Sequence, residues 1–327
     1  MAISRRKLLQ SGLAGAMPCS LAAQAMAQGI GQARMVIGFP AGGAPDSIGR
    51  ALALKLSGSY ASNVFVDTKT GAAGQLAAVA VKQAPRDGSV MLVTPMLVLG
   101  VFPHTYKSLP YDALADFTAV SNIATFNYAF AVGPGVPASV TNAAQLSDWY
   151  RAKPDKASFG IPAPGSTLHF SAMLFGRAAG LNLTYAGYNS PQMFADTSSG
   201  VVSACVSSVG ALLPMHNSGR LRIIATTGDV RSPFLRNVPT LAEAGYRDLV
   251  FKEWIGCFVP ANTPADMVER LNQAIGTALA SPEVKETMAT LMLEATPSSP
   301  GALAALLRSD SDAWRQRIQS VGFTQNS

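Results

Sequence analysis

Short apolar runs alternate with segments of helical spacing from residue 33 to residue 260, and this alternation constrains the fold more than any other feature of the sequence. Residues 35–39 and 90–94 are typical of buried strands, whereas residues 47–56 place apolar side chains at helical spacing. Such alternation predicts parallel α/β sheets. Further strands are expected at residues 63–67, 117–123, 128–132, 157–161, 183–188, 201–206, 221–226 and 254–259, and a helix of small residues at 74–84.

The pattern changes after Pro260, where three helices are predicted with no strand between them, at residues 264–280, 282–293 and 299–321. A chain of 327 residues is long enough for two domains of ordinary size. Because the sequence contains no long linker, a division into two domains would have to be discontinuous, with strands crossing between the lobes.

Composition excludes several classes of protein. Charged residues make up 13% of the chain, about half the usual share, so a nucleic-acid-binding surface is not expected despite a formal net charge of +6. No run of 18 or more strongly apolar residues is present, so no membrane-spanning helix is expected. Three cysteines in a chain of this length are too few for a disulfide scaffold.

Residues 1–27 have the features of an export signal. Residues 4–9 (SRRKLL) supply a basic start with paired arginines, a weakly apolar run rich in Gly and Ala follows, and residues 25–27 (AMA) match the small-x-small cleavage pattern. The modest hydrophobicity and the Arg-Arg pair favour twin-arginine export, with the general secretory route as the alternative. Both routes predict a periplasmic protein that is cleaved after Ala27.

Removal of the signal changes the charge balance. It takes away three of the 25 basic residues and leaves 300 residues with 22 basic and 19 acidic side chains. Cys205 and Cys257 remain after cleavage. A disulfide between them is permitted in the periplasm, but two small buried residues on separate strands are the preferred interpretation.

Four junctions between a strand and a helix place small or polar residues just before the helix. They are residues 39–47 (FPAGGAPDS), 70–75 (TGAAGQ), 162–167 (PAPGST) and 188–191 (YNSP). Glycine lets a backbone approach a ligand closely, N–H groups at a helix start favour an anion, and ligands of α/β sheets bind at such loops. The sequence thus suggests a small-anion site built from backbone N–H groups and the hydroxyls of Ser47, Ser166, Thr167 and Ser190. At each single junction the alternative is turning and helix capping.

Enzyme, metal and cofactor motifs are missing. The sequence has no G-x-S-x-G elbow, no H-E-x-x-H and no Walker-type Gly-Lys pair, so no catalytic residue, metal or cofactor is predicted. The histidines, His104, His169 and His216, have no metal-ligand neighbour at i+3 or i+4. His169 follows Thr167 closely and is a candidate either for ligand contact or for local packing. A Ser166–His169 pair is the basis of an alternative function as an exported hydrolase or isomerase, although it has no third member nearby.

Four segments resemble, in the same order, segments of the Bug family, the periplasmic solute receptors of tripartite tricarboxylate transporters. Residues 38–46 (GFPAGGAPD) resemble the family's first loop, and residues 107–117 (KSLPYDALADF) its K-x-L-P-Y-D-x-x-x-D-F stretch. Residues 237–246 (NVPTLAEAGY) are similar to V-P-T-x-A-E-A-G, and residues 258–264 (FVPANTP) to F-x-P-A-x-T-P. Each segment is modestly specific, whereas the ordered set is strongly so.

The resemblance implies an α/β fold with two lobes of the class II periplasmic binding type and a ligand cleft between them. Because the chain is expected to cross between the lobes and return, the first lobe is expected to consist of residues 33–125 and 254–327. The second lobe is expected to consist of residues 126–253. The resemblance implies a solute-binding protein rather than an enzyme, which captures a small carboxylate by domain closure and delivers it to two membrane subunits of a transporter. A periplasmic sensor that binds the same ligand is the alternative, and a monomer is expected.

The resemblance also implies which residues line the cleft when the family's loops are carried over by position. These sixteen residues are Phe39, Ala41, Gly42, Gly43, Asp46, Ser47, Gly71, Gly74, Thr94, Gly165, Ser166, Thr167, His169, Tyr188, Asn189 and Ser207.

This chain departs from the family pattern in three places. Residues 71–74 read GAAG where the family usually has Gly-Ala-Gly-Gly, and residues 188–190 read YNS where Tyr-Lys-Gly is frequent. Residues 206–208 (VSS) replace a stretch that often carries an acidic residue. Because an acid there would pair with a ligand amine, we expect this chain not to prefer an amino acid.

Overall fold

The computed structural model describes residues 29–324, so the predicted export signal lies outside the described residues. Its strands form two sheets, each at the centre of one lobe. In chain order the strands are β1 (Ile30–Ile37), β2 (Ala61–Thr68), β3 (Val90–Pro95), β4 (Phe117–Phe126), β5 (Tyr128–Val132), β6 (Ser158–Ile161), β7 (Thr184–Gly187), β8 (Ala204–Ser208), β9 (Arg222–Thr226), β10 (Glu253–Pro260) and β11 (Glu294–Ala295). The strand orders are β11-β4-β10-β3-β1-β2 and β7-β6-β8-β5-β9.

Helices cover both faces of each sheet. They are α1 (Ala44–Leu56), α2 (Gln75–Lys82), α3 (Phe102–Thr105), α4 (Ala143–Ala152), α5 (Thr167–Ala178), α6 (Ser190–Ser199), α7 (Val209–Asn217), α8 (Ala265–Ala280), α9 (Pro282–Thr290) and α10 (Pro300–Ser320). On the first sheet, one face is covered by α1, α8 and α9 and the other face by α2 and α10. On the second sheet, one face is covered by α4 and α5 and the other by α6 and α7. Within residues 29–324, no helix is both long and apolar enough to cross a bilayer.

The strands are buried on both faces, which explains their continuous apolar sequences. Successive side chains of a strand point to opposite faces. In β1, Met35 and Ile37 therefore join the core under α1, α8 and α9, whereas Val36 joins the core under α2 and α10. In β5, Phe130 and Ala131 divide in the same way between the two cores of the second sheet.

The sheets are mixed rather than parallel, which corrects the sequence prediction. Strand β10 runs antiparallel to β3 and β4, and β5 runs antiparallel to β8 and β9. The chain crosses from β4 to β5 and returns from β9 to β10, and both crossings lie at the edge where the other strands end. A strand that enters its sheet from that edge must run opposite to strands that finish there.

The expectation of no strand among the three terminal helices is also wrong. Strand β11 lies between α9 and α10 and pairs with Ala124 and Thr125 at the end of β4. A strand of two residues shows no alternation of apolar and polar side chains, so the sequence gives no signal for it.

The two remaining cysteines are separate and free, as the sequence favoured. Cys205 lies in β8 of the second sheet and Cys257 in β10 of the first, and both are buried. Burial raises the pKa of the Cys205 thiol to about 12 and raises that of Cys257 as well. Both side chains therefore behave as small apolar residues of the core.

Helix α10 joins the two lobes. Its Trp314 belongs to a core cluster that contains Val36 of the first sheet and Phe130 of the second. Further along the helix, the carbonyl of Ser320 accepts a hydrogen bond from Arg177 of α5. The lobes are thus held together by the two crossings and by this helix.

Candidate functional site

The carboxyl ends of the parallel strands bring the predicted junctions together. Strands β1, β2 and β3 are parallel and end at one edge of the first sheet, while β6, β7 and β8 end at one edge of the second. Because both crossings between the lobes lie at these edges, the two sets of loops face each other. The four junctions found in the sequence all lie here, which is the usual position of ligand sites in α/β sheets.

The first two junctions are in direct contact. A methyl group added to Gly38 would lie 2.5 Å from the Cα of Gly74. The Phe39 ring lies over Gly74, 3.1 Å from where a Cβ on that glycine would be. The loops after β1 and β2 therefore form one surface, and the absence of side chains at Gly38 and Gly74 permits the contact.

Asp46 shapes the first loop from within. Its Oδ2 accepts hydrogen bonds from the Gly42 backbone N–H and the Arg50 Nε–H, each at 2.9 Å, and the residue is only 2% exposed. The hydrogen bond from Arg50, followed by that from Gly42, lowers the pKa of Asp46 against the opposing effect of burial. Asp46 is thus ionised at neutral pH and holds Gly42 in a left-handed turn with φ of 81°.

The helices that follow the loops at the facing edges of the two sheets differ at their starts. The N-cap residues of α1 and α2 are Gly43 and Gly74, and neither helix has a side-chain hydrogen bond at its cap. In contrast, Ser166, Asn189 and Ser208 cap α5, α6 and α7 with their own side chains. Pro45 has no N–H and the Gln75 N–H donates to the Ala72 carbonyl, so the other first-turn N–H groups of α1 and α2 are the donors that remain for an anion. Capping explains the polar residues of the second lobe.

The remaining predicted residues of the first lobe lie in the same two loops, in the first turn of α1 or at the end of β3. Thr94 is buried at the end of β3, and Ser47 and Gly71 are half-buried. Ala41 and Gly42 are exposed at the tip of the first loop.

Ser166 and His169 do not form a nucleophile and base. The Ser166 hydroxyl donates to the Ala163 carbonyl at 2.6 Å and accepts from the His169 backbone N–H at 3.3 Å. The His169 Nδ1 accepts from the Gly165 N–H at 3.1 Å, and its ring packs on Phe170. Burial lowers the pKa of His169, so the ring is neutral at pH 7. These contacts serve the loop and leave the alternative of a hydrolase or isomerase without support.

The last three predicted residues lie on the second lobe. Tyr188 is half-buried and packs beside Gly160 and Met193. Asn189 is exposed and caps α6 by accepting from Gln192. Ser207 is buried in β8, paired with Ala129.

Sequence reasoning missed one side chain at the junction of the lobes, that of Glu253. It is 1% exposed, and its Oε2 accepts hydrogen bonds from the Tyr128 hydroxyl at 2.8 Å and the Thr167 hydroxyl at 3.2 Å. The Thr167 side chain is therefore engaged with Glu253. The one available signal was an acidic residue directly before the apolar run that begins at Trp254.

Burial raises the pKa of Glu253 to about 7, although hydrogen bonds from Tyr128 and Thr167 lower it. Between pH 4.5 and 7 the unfolded chain is ionised at this residue while the folded chain keeps its proton. The contribution of Glu253 to folding stability therefore falls as pH rises through this window, by about 3 kcal/mol in all.

We expect Glu253→Gln to remove this fall, so that the variant gains stability relative to the wild type between pH 5 and pH 8. Urea unfolding of both proteins at each pH measures the difference. Because the pKa values of His104, His169 and His216 are lowered in both proteins, their opposite pH dependence cancels in the comparison. A constant difference across this range would contradict the expectation.

The departure at residues 71–74 has a structural cost. Ala73 adopts φ 55° and ψ 34°, a left-handed conformation that strains a residue with a Cβ. We expect Ala73→Gly to raise the free energy of unfolding by about 0.5–1 kcal/mol, measured by urea unfolding. Ala302→Gly in α10 is the control and should lower it, because glycine is unfavourable in a helix. A loss of stability on Ala73→Gly would contradict this reading.

Three cavities lie elsewhere on the described residues, with volumes of about 420, 440 and 360 Å³. The first lies between α10 and residues 103–114, the second under α10 beside Trp254, and the third between α5 and α10. None of the sixteen predicted residues lines them. Within residues 29–324, no group of three His, Cys, Asp or Glu side chains could hold a metal ion.

Comparisons with known proteins place this architecture in a family. The family model described as "tripartite tricarboxylate transporter family receptor" matches residues 48–323. The UPF0065 protein in the tcbD-tcbE intergenic region of Pseudomonas sp. (strain P51) is 32% identical over 295 residues, 89% of this chain and 86% of that protein. BugT of Bordetella pertussis (strain Tohama I) is 28% identical over 291 residues, 88% of this chain and 89% of that protein.

Solved structures agree with this match. The structure of an R. palustris protein with adipate is 28% identical and has a TM-score of 0.80, covering 90% of this chain and 98% of that one. Receptors of the matched family are periplasmic, in agreement with the predicted export. The chain therefore belongs to the tripartite tricarboxylate transporter receptor family, the Bug family that its motifs resemble, and is a solute-binding receptor rather than an enzyme.

Proposed function

We propose that this receptor captures a small dicarboxylate in the cleft between its lobes and delivers it to the two membrane subunits of a transporter. The observation that carries the proposal is the pair of uncapped helix starts at Gly43 and Gly74, whose loops are in contact through Gly38 and Phe39. Their free N–H groups and helix dipoles favour a carboxylate. The sixteen residues predicted to line the cleft remain the proposed binding residues.

The proposed ligand class is further supported by a relative. The R. palustris protein, which shares the fold at 28% identity, was solved with adipate. In the present chain the cleft offers Phe39 and Tyr188 as apolar walls around the polar loops. We propose that closing the lobes covers the carbon chain of the ligand while backbone N–H groups bind its carboxylate.

Binding is tested by thermal melting of residues 28–327 with adipate, succinate, hexanoate and aspartate. A ligand at about 100 times its Kd adds ~2.7 kcal/mol of stability, which is a shift of a few degrees in Tm. We expect adipate or succinate to raise Tm and hexanoate, which lacks the second carboxylate, to have little effect.

Aspartate is the matched control for succinate, since the two differ by one amine. We expect aspartate to bind more weakly because residues 206–208 carry no acidic partner for that amine. A larger shift with aspartate than with succinate would reverse the proposed ligand class. No shift with any carboxylate would remove the proposal of carboxylate capture.

Export and assembly complete the proposal. Cleavage after Ala27 is proposed to release a periplasmic monomer of 300 residues. Amino-terminal sequencing of the exported protein tests the cleavage, and a first residue other than Gln28 would contradict it.

Co-purification of the ligand-loaded receptor with membrane subunits tests delivery to a transporter. Retention of the receptor by a sensor ectodomain instead would favour a role in sensing.

A further inference from the structure

Glu253 differs from the other buried acidic residue of the described chain, Asp46. Asp46 forms an ion pair with Arg50, whereas no lysine, arginine or histidine lies within 4 Å of the Glu253 carboxyl in residues 29–324. The Glu253 Oε2 accepts from two hydroxyls, and the backbone N–H of Leu97 also favours the ionised carboxyl, but none of these partners carries a positive charge. A buried carboxyl without a cation is expensive to ionise, so its persistence calls for an explanation.

The carboxyl connects two lobes through three mutual contacts. Glu253 begins β10 of the first sheet, Tyr128 begins β5 of the second, and Thr167 is the first residue of α5. The Tyr128 and Thr167 hydroxyls are 2.9 Å apart, in addition to the bonds that each donates to Glu253. The start of α5 is thereby fixed against the first lobe by a side chain from that lobe.

Thr167 belongs to the loop of residues 162–169 that is proposed to meet the ligand. In the same turn, Ser166 caps α5 and Gly165 is held by His169. A shift of Thr167 would move the whole loop, because these hydrogen bonds make it one unit. Glu253 can therefore set the position of the loop without reaching the ligand.

We propose that Glu253 is a positioning residue of the ligand cleft, and that ionisation of its carboxyl weakens the binding of a carboxylate ligand. The second part of this inference rests on the proposed function. An ionised Glu253 repels an anionic ligand. Because the carboxyl is buried, little water lies around it to screen this repulsion.

The groups that face the carboxyl decide its titration. They are Tyr128 from β5, Thr167 from α5, the backbone at Leu97 after β3, and Asp310 from α10, whose charge opposes ionisation. Burial, with a smaller contribution from Asp310, raises the pKa of Glu253 to about 7, whereas the hydrogen bonds from Tyr128, Thr167 and Leu97 lower it. Burial lowers the pKa of His169 in the ligand loop, and Glu253→Gln, which retains His169, separates its titration from that of Glu253.

The test is calorimetric titration of the 28–327 protein with adipate at pH 6, 7 and 8. We expect the wild-type Kd to rise about tenfold from pH 6 to pH 8, because repulsion between two negative charges is weakly screened around a buried carboxyl. Glu253→Gln should bind with a Kd that is the same at each pH. Asp312→Asn is the matched control, because Asp312 is an exposed acid of α10 that pairs with Arg315 and does not contribute to the titration of Glu253, and it should keep a rise of similar size.

A second variant tests the hydrogen bond that Tyr128 donates to Glu253. Tyr128→Phe removes a donor that favours the ionised carboxyl. The midpoint of the Kd against pH curve should therefore move to higher pH. A wild-type Kd that does not change with pH, or a rise that persists in Glu253→Gln, would overturn the dependence on Glu253.

Hydrogen exchange separates this inference from the proposed function, because it needs no ligand. Backbone amides 168–171 of the free protein should exchange faster in Glu253→Leu, which has no acceptor for Thr167, than in Glu253→Gln. Equal protection in the two variants would overturn the positioning role even if adipate binds. Failure of every carboxylate to bind, with unequal protection, would remove the proposed function and retain the positioning role. If neither variant folds, Thr167→Val replaces them, because it removes the donor to Glu253 and keeps the shape of the side chain; unchanged exchange of amides 168–171 relative to the wild type would then overturn the positioning role.

Discussion

Replacing Gly38 by alanine should reduce ligand affinity about 100-fold and lower the free energy of unfolding by about 2–3 kcal/mol. The added Cβ would lie 2.5 Å from the Cα and 2.9 Å from the carbonyl oxygen of Gly74. Both are backbone atoms, so no side-chain rotation relieves the contact. The loops after β1 and β2 must separate, and the two uncapped helix starts then no longer face one carboxylate.

Calorimetric titration with the ligand found in the melting panel and urea unfolding measure the two effects. Gly31→Ala is a matched control in β1, the strand that Gly38 directly follows, because a Cβ at Gly31 meets no heavy atom within 4 Å. The control should bind and unfold as the wild type does. If Gly38→Ala retains wild-type affinity, the contact between the two loops does not organise the site.

The second large loss of stability is expected when Trp314 of α10 is truncated. Its side chain is 1% exposed and packs edge-on against Phe251 at 4.9 Å, with the Arg317 guanidinium 5.2 Å from its ring centre. Truncation to alanine leaves a cavity in a core that both lobes share. We expect Trp314→Ala to lower the free energy of unfolding by about 3–5 kcal/mol.

Urea unfolding of the free receptor checks this value, with Arg308→Ala as the control. Arg308 is exposed on the same helix, and its removal should change stability by less than about 0.5 kcal/mol. A loss below about 1 kcal/mol for Trp314→Ala would mean that α10 does not hold the lobes together.

Local patterns predicted most elements of the fold. Strand β5 has the bounds expected from its apolar run, and α1 and α10 begin within three residues of their expected starts. Such segments are decided by the periodicity of neighbouring side chains, which the sequence displays directly. Strand direction in β10 and the existence of β11 depend instead on where the chain enters a sheet, and no local pattern records that.

The candidate site also has features that the local sequence predicted and features that it could not predict. The glycine-rich junctions, and the resemblance that they carry, indicated an anion site at the strand ends. The sequence could not tell that Ser166 and Asn189 are occupied as caps while the starts at Gly43 and Gly74 are not. Whether a polar group is free depends on its hydrogen-bond partners in the folded chain.

The sequence by itself determined the alternation of strands and helices, the faces that are buried, the family and the positions of the loops, because each is written in neighbouring residues. Only the tertiary structure decided the contact of Gly38 with Gly74 and the place of Glu253. Its partners Thr167 and Tyr128 are 86 and 125 residues distant in the chain. Burial and hydrogen bonding between such distant groups set the protonation of Glu253, and these arise only when the two lobes assemble.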